Sequence, residues 1–114
     1  MNFVGGYADE WWKLSRRFER ALQAASNRID PDGGRRLKLG SPVLVGRPNG
    51  DVMRMPVVLT GGQRELPVGY LVVENVRVDG SRVNALVQRF EDQARAAIAG
   101  PVDFATRLNE LTYP

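Results

Sequence analysis

The sequence contains neither cysteine nor histidine. Without cysteine there is no disulfide, no catalytic thiolate and no Cys-based zinc site. Without histidine the usual neutral-pH proton shuttle and the commonest transition-metal ligand are missing as well. Most hydrolase mechanisms are thereby excluded, and an enzyme built on this chain would have to work with carboxylates alone. Long hydrophobic runs are also absent: none approaches the roughly 18 apolar residues of a membrane-spanning helix. The opening stretch MNFVGGYADEWW places no basic residue ahead of an apolar block and soon meets Asp9 and Glu10, unlike a secretory signal. The expected location is the cytoplasm. Lysine is scarce too, with 2 Lys against 14 Arg.

What remains is ordinary globular material: 114 residues, 43% of them apolar. That is enough for one core and too little for two, so residues 1–114 read as a single domain. The net charge is only +3, but it is unevenly placed. Residues 13–38 hold eight basic side chains against three acidic ones, and residues 61–114 hold six against seven. The positive field belongs to one segment.

The longest β-like run is LPVGYLVVENVRVD, residues 66–79, rich in the Val, Tyr and Leu that suit a pleated surface. It is apolar on both faces at its start, as a central strand would be. Ahead of it, Trp11, Leu14, Phe18, Leu22, Ala25 and Ile29 recur at helical spacing and predict a helix over 8–29. The helix stops at Asp30-Pro31-Asp32-Gly33-Gly34. Residues 35–39 read as an early edge strand or an arm, and 43–45 as a short strand. Asn49-Gly50 then predicts a type I′ hairpin turn. A further strand over 52–60 carries Met53, Met55, Val57 and Leu59 on one face, with Pro56 suggesting an outer strand or a bulge.

After the central run, Asp79 or Ser81 caps a second helix with the stripe Val83, Leu86, Val87, Phe90, Ala94. Gly100-Pro101 ends it. A third short helix is expected over 101–111, with Phe104, Leu108 and Leu111 inward and residues 112–114 as a tail. The expected fold is α+β: a leading helix, then a three-stranded antiparallel meander, four-stranded if 35–39 pairs. Two further helices pack on the sheet.

The glycine pairs at 5–6, 33–34 and 61–62 lack the spacing of a phosphate-binding loop and read as turns. Asp30 and Asp32 lack the further ligands of a calcium loop. Glu74 is the one acid inside an apolar-face pattern, where burial would raise its pKa, although a partner such as Arg54 or Arg77 is the commoner outcome. No catalytic residue, metal or cofactor is expected.

The order helix, three strands, helix resembles that of double-stranded RNA-binding domains, in topology only. The basic cluster such domains carry at the start of the second helix is reduced here to Arg82 in Gly80-Ser81-Arg82-Val83-Asn84. The resemblance implies nucleic acid as an alternative partner, met by the basic segment. The leading expectation is a non-enzymatic protein that binds another protein, as an adaptor, inhibitor or assembly subunit. Trp and Arg dominate interface hot spots. The residues that would carry contact in either case are Trp12, Arg16, Arg17, Arg20, Arg35, Arg36 and Lys38. A homodimer through a sheet edge is a further expectation.

Overall fold

The apolar stripe of the first helix decides where it lies. In the computed structural model, which describes residues 6–100 and 109–114, helix α1 spans Gly6–Ile29. Leu14, Phe18, Leu22 and Ala25 are fully buried, while Arg16, Arg17 and Arg20 on the other face are exposed. The helix is tied to the first strand through Ser26. Its buried hydroxyl donates to the Leu22 carbonyl (2.7 Å) and accepts the Leu37 N–H (2.8 Å). A buried polar group is tolerated there because both its hydrogen-bonding roles are filled.

Five strands follow in one mixed sheet: β1 (Arg36–Leu39), β2 (Val43–Arg47), β3 (Gly50–Thr60), β4 (Leu66–Val73) and β5 (Glu110–Tyr113). β3 is the spine. On one side it pairs antiparallel with β4, and on the other β1 and β2 share its length end to end. β5 joins the far side of β4 in parallel. Pairing partners share a face, so Met53, Met55, Leu71, Val73, Leu111 and Tyr113 look toward the helices.

Helix α2 (Gly80–Ala99) is capped by Asp79, whose carboxylate accepts from the N–H groups of Ser81 (3.0 Å) and Arg82 (3.3 Å). Val83, Leu86, Val87, Phe90 and Ala94 enter the core with α1. Glu91 is buried beside them. Arg28 Nη2 lies 2.7 Å and Arg95 Nη2 3.0 Å from its two carboxylate oxygens, joining the end of α1 to α2. Tyr113 closes the opposite end. Its hydroxyl donates to the Arg77 carbonyl and accepts the Asp79 N–H (2.7 Å), while its ring meets Phe18 edge-on at 5.6 Å.

Several expectations are corrected. The sheet is not an antiparallel meander, because β5 adds a parallel strand. Of the expected third helix, 101–108 lie outside the described residues, but Leu111 belongs to β5, and Thr112-Tyr113 are strand, not tail. Glu-Leu-Thr-Tyr alternates outward and inward, and four residues are too few for a period of 2 to be told from 3.6. The central run is strand only to Val73. A bulge inserts Val68 between the pairs Val57–Gly69 and Val58–Pro67. Gly69 is needed there, since a Cβ would stand 2.9 Å from the Asn109 carbonyl.

Pro56 does not mark an outer strand. It sits where the neighbour of β3 changes from β1 to β2, so its missing N–H costs no ladder bond, and its carbonyl accepts the Gly40 N–H (2.8 Å). The hairpin turn is not type I′ either. Its central pair is Pro48-Asn49, closed by Arg47 against Gly50, and no described non-glycine residue has positive φ. Pro48 locks φ near −65°, which a type I′ turn forbids. The positive φ falls instead on Gly50, at +122°.

Two predictions follow from this packing. Phe90→Ala should lower unfolding free energy in urea by about 3–5 kcal/mol, because it empties the contact between α2 and the sheet. Glu91 bears on acid stability. The hydrogen-bonded Arg28, against the opposing pull of burial and with help from Arg95, holds its carboxyl below the ordinary Glu value. A lowered folded pKa gives stability that is present above the unfolded value and lost as pH falls through the folded one. Glu91→Gln should therefore melt below wild type at pH 7, and the gap should narrow as the pH is lowered beyond the ordinary carboxylate range.

Candidate interaction surface: the free edge of β2 and the face away from the helices

Both helices pack on one face of the sheet, through α1 against β1 and α2 against β4 and β5. The other face carries a fixed charged array. Arg54 and Tyr70 come from neighbouring strands, and the Arg54 guanidinium lies 3.7 Å from the Tyr70 ring centroid, a cation–π contact. Arg54 Nε also bonds Glu110 at 2.7 Å, and Arg47 Nη2 reaches the same carboxylate at 3.1 Å. Burial pushes the Glu110 carboxyl up, but the two guanidinium groups outweigh it and hold it below the ordinary value. The array links β2, β3, β4 and β5 across their outer side.

β2 is different. It pairs with β3 alone, and among the described residues no strand lies on its other side. Val43 is 60% and Leu44 47% exposed, and with Trp12 at 61% they are the exposed large hydrophobic residues of the described chain. Leu44 shares the helix side with its partner Met53, and Val43 shares the outer side with Arg54. Ser26 is bonded to Leu37, and Glu19, Leu22 and Gln23 line a groove with Arg36 to Leu39, so α1 runs back along the line of β1. From Ser26 to Trp12 is 14 helical residues, about 21 Å. From Leu37 to Leu44 the partners on β3 run from Leu59 to Met53, six strand positions, about 20 Å. By these lengths Trp12 comes about level with Leu44 along the strand direction, within the helical layer and not on the side of Val43.

The residues singled out from sequence fall into three groups. Trp12 and Arg16 meet, with the guanidinium 5.5 Å from the ring centroid, and Arg20 lies exposed on the same helix. Arg17 reaches the start of α2, where a Cβ on Gly80 would be 2.6 Å from its Nη2. Arg35 lines an open groove of about 950 Å³ with Asp30 and Arg64, beside the glycine turn 61–62. Arg36 and Lys38 pair with Thr60 and Val58, on the side of the sheet away from α1. The Arg36 side chain donates back to the Arg35 carbonyl (2.8 Å). Arg16, Arg17 and Arg20 thus belong to the helical layer, and Arg36 and Lys38 to the opposite side of the sheet.

Of the carboxylates weighed from sequence, Glu74 is exposed beyond the end of β4, and Arg54 pairs with Glu110 in its place. Asp30 accepts the Arg35 N–H (3.4 Å), as a helix-stopping turn would. Among the described residues no group of three acids is placed to hold a metal ion, and no helix is long and apolar enough to cross a membrane. Sequence reasoning missed Val43, Leu44, Arg47, Tyr70 and Glu110. One signal was available: Val-Leu-Val-Gly between Pro42 and Pro48 is an apolar strand with no Lys or Glu of the kind that guards an exposed edge.

No protein-family model, no curated protein and no solved structure matches the chain.

Trp12 rests on solvent and Arg16, so Trp12→Ala should change unfolding free energy by less than about 1 kcal/mol, the size of an exposed cation–π contact. Thermal melts of the two proteins measure this. A fall of several degrees would mean that Trp12 covers part of the core.

Proposed function

We propose that this chain is a non-enzymatic protein–protein interaction module, and that its contact surface is the free edge of β2 together with Trp12 and Arg16. One observation carries the reading: Val43 and Leu44 expose large apolar side chains on the two sides of β2, a strand edge that has no partner among the described residues. An exposed apolar strand edge is a template for pairing with another chain. Trp and Arg are the side chains that most often anchor interfaces. The lack of cysteine and histidine supports the same reading, because it leaves little for catalysis. Nucleic acid is the second reading. It keeps the support of Arg16, Arg17 and Arg20, exposed along one helix with an aromatic ring beside them.

Purification of the tagged chain from its native host decides between them. A protein partner should be lost from the Leu44→Lys variant and retained by Arg16/Arg17/Arg20→Ala. The reverse result, with binding to RNA or DNA that weakens with salt by about 0.7–0.9 log units per log unit for each phosphate contact, would put nucleic acid in its place.

A further inference from the structure

The free edge of β2 has a register of its own. Arg47 and Gly50 close the hairpin around Pro48-Asn49, so they form a hydrogen-bonded pair, and the pairs alternate from there. Val45–Val52 and Val43–Arg54 are then hydrogen-bonded within the sheet. The N–H and C=O groups of Leu44 and Gly46 point the other way, to the free edge. Pro42 and Pro48 bracket the strand and have no N–H to offer. The edge therefore offers two donors and two acceptors, one residue on either side of Val45.

This pattern is complementary to itself, and we infer that β2 pairs antiparallel with β2 of a second copy of the chain, about a twofold axis at Val45. The inference rests on the reading of this edge as a contact surface and names its occupant. In that register Leu44 faces Gly46 of the second copy and exchanges both bonds with it, and Gly46 does the same with Leu44, four bonds in all. Pro42 falls opposite Pro48, so neither end leaves an N–H unpaired. On the helix side the Leu44 side chain lies across from a glycine, where there is room for it. On the other side Val45 meets Val45, and Val43 meets the stem of Arg47.

Charge does not oppose the pairing. Arg47 is the one charged residue of β2, and it is already bonded to Glu110. β1, the neighbouring edge, carries Arg36 and Lys38 and is guarded in the usual way. The area sets the strength. Val43 and Leu44, one on each side of the strand, together offer less apolar surface than the roughly 300–600 Å² of the largest patch on a typical monomer. Two such patches stay below the roughly 1,200 Å² of a stable interface. The dimer is therefore weak and concentration-dependent.

The absence of cysteine makes the register directly testable. A symmetric pair at Val45 is a non-hydrogen-bonded one, with Cα atoms about 4.5 Å apart, inside the range a disulfide spans. Val43 faces Arg47, and its own copy is four residues away along the strand, about 13 Å. Under mild oxidation Val45→Cys should form a covalent dimer rapidly, and Val43→Cys, the more exposed position, should remain mostly monomeric. Sedimentation of the wild-type chain should show the dimer growing in between about 10 μM and 1 mM. Leu44→Lys should stay monomeric with an unchanged melting temperature.

Equal cross-linking at 43 and 45 would mean random collision and would overturn the pairing, as would a wild-type chain monomeric at 1 mM. If it is overturned while Leu44→Lys still loses a co-purifying protein, self-pairing fails and the interaction reading survives. If Leu44→Lys changes neither mass nor co-purification, both fail.

Discussion

Eleven residues of β3 present hydrogen-bonding groups on both sides, and a strand inside a sheet has to find partners for nearly all of them. β4 supplies one side. On the other, the chain between α1 and β3 is interrupted by Gly40-Ser41-Pro42 and cannot run as one long strand. It divides into β1 and β2, which take the two ends of β3 and leave Pro56 opposite the break. The rest of the architecture follows from that division. α1 is anchored to β1 through Ser26 and covers the core there, and β2 projects as a short strand whose apolar residues lie partly in water.

The core is apolar, but three of its seams are closed by hydrogen-bonded polar groups, while the buried Gln93 Oε1 has no partner. Ser26 joins α1 to β1, Glu91 joins the two helices through Arg28 and Arg95, and Tyr113 joins β5 to the segment that leads into α2. Each lies between elements distant in sequence. Hydrogen bonds of this kind add modest net stability, but they penalise any rearrangement that would leave a buried donor or acceptor alone. They set the mutual positions of layers that hydrophobic contact alone would let slide. The outer array of Arg47, Arg54, Tyr70 and Glu110 does the same across the strands. That array ties its side chains to one another on the outer side of the sheet. The edge of β2 has made no such use of its groups.

Legibility from sequence followed length. α1 repeats its apolar positions over about five turns and α2 over about three, so period and buried face could be read from the residues, as could Phe90 at the centre of α2. Met53, Met55, Val57 and Leu59 gave the inner face of β3 by simple alternation. Trp12, off its helix stripe, was legible as an exposed aromatic. Short elements were not. Glu110 to Tyr113 is four residues long, and Leu111 fitted a helical spacing with Leu108 as well as it fitted a strand. Pro48 was passed over in favour of the stronger Asn-Gly signal, although its locked φ decides the turn.

The amino-acid sequence by itself determined the class of the fold, the two principal helices, which faces of the long elements are apolar, and the chemistry that cysteine and histidine would have allowed. These are local properties, set by period, propensity and composition within a window of a few turns. Only the tertiary structure decided that β1 and β2 share one side of β3, that β5 adds in parallel, and that the basic residues of 13–38 divide between two layers. Strand neighbours are chosen by hydrogen bonds and burial between segments far apart in the chain, and no residue of β2 records locally that β3 will be its one strand partner among the described residues. The free edge is a property of the assembled sheet.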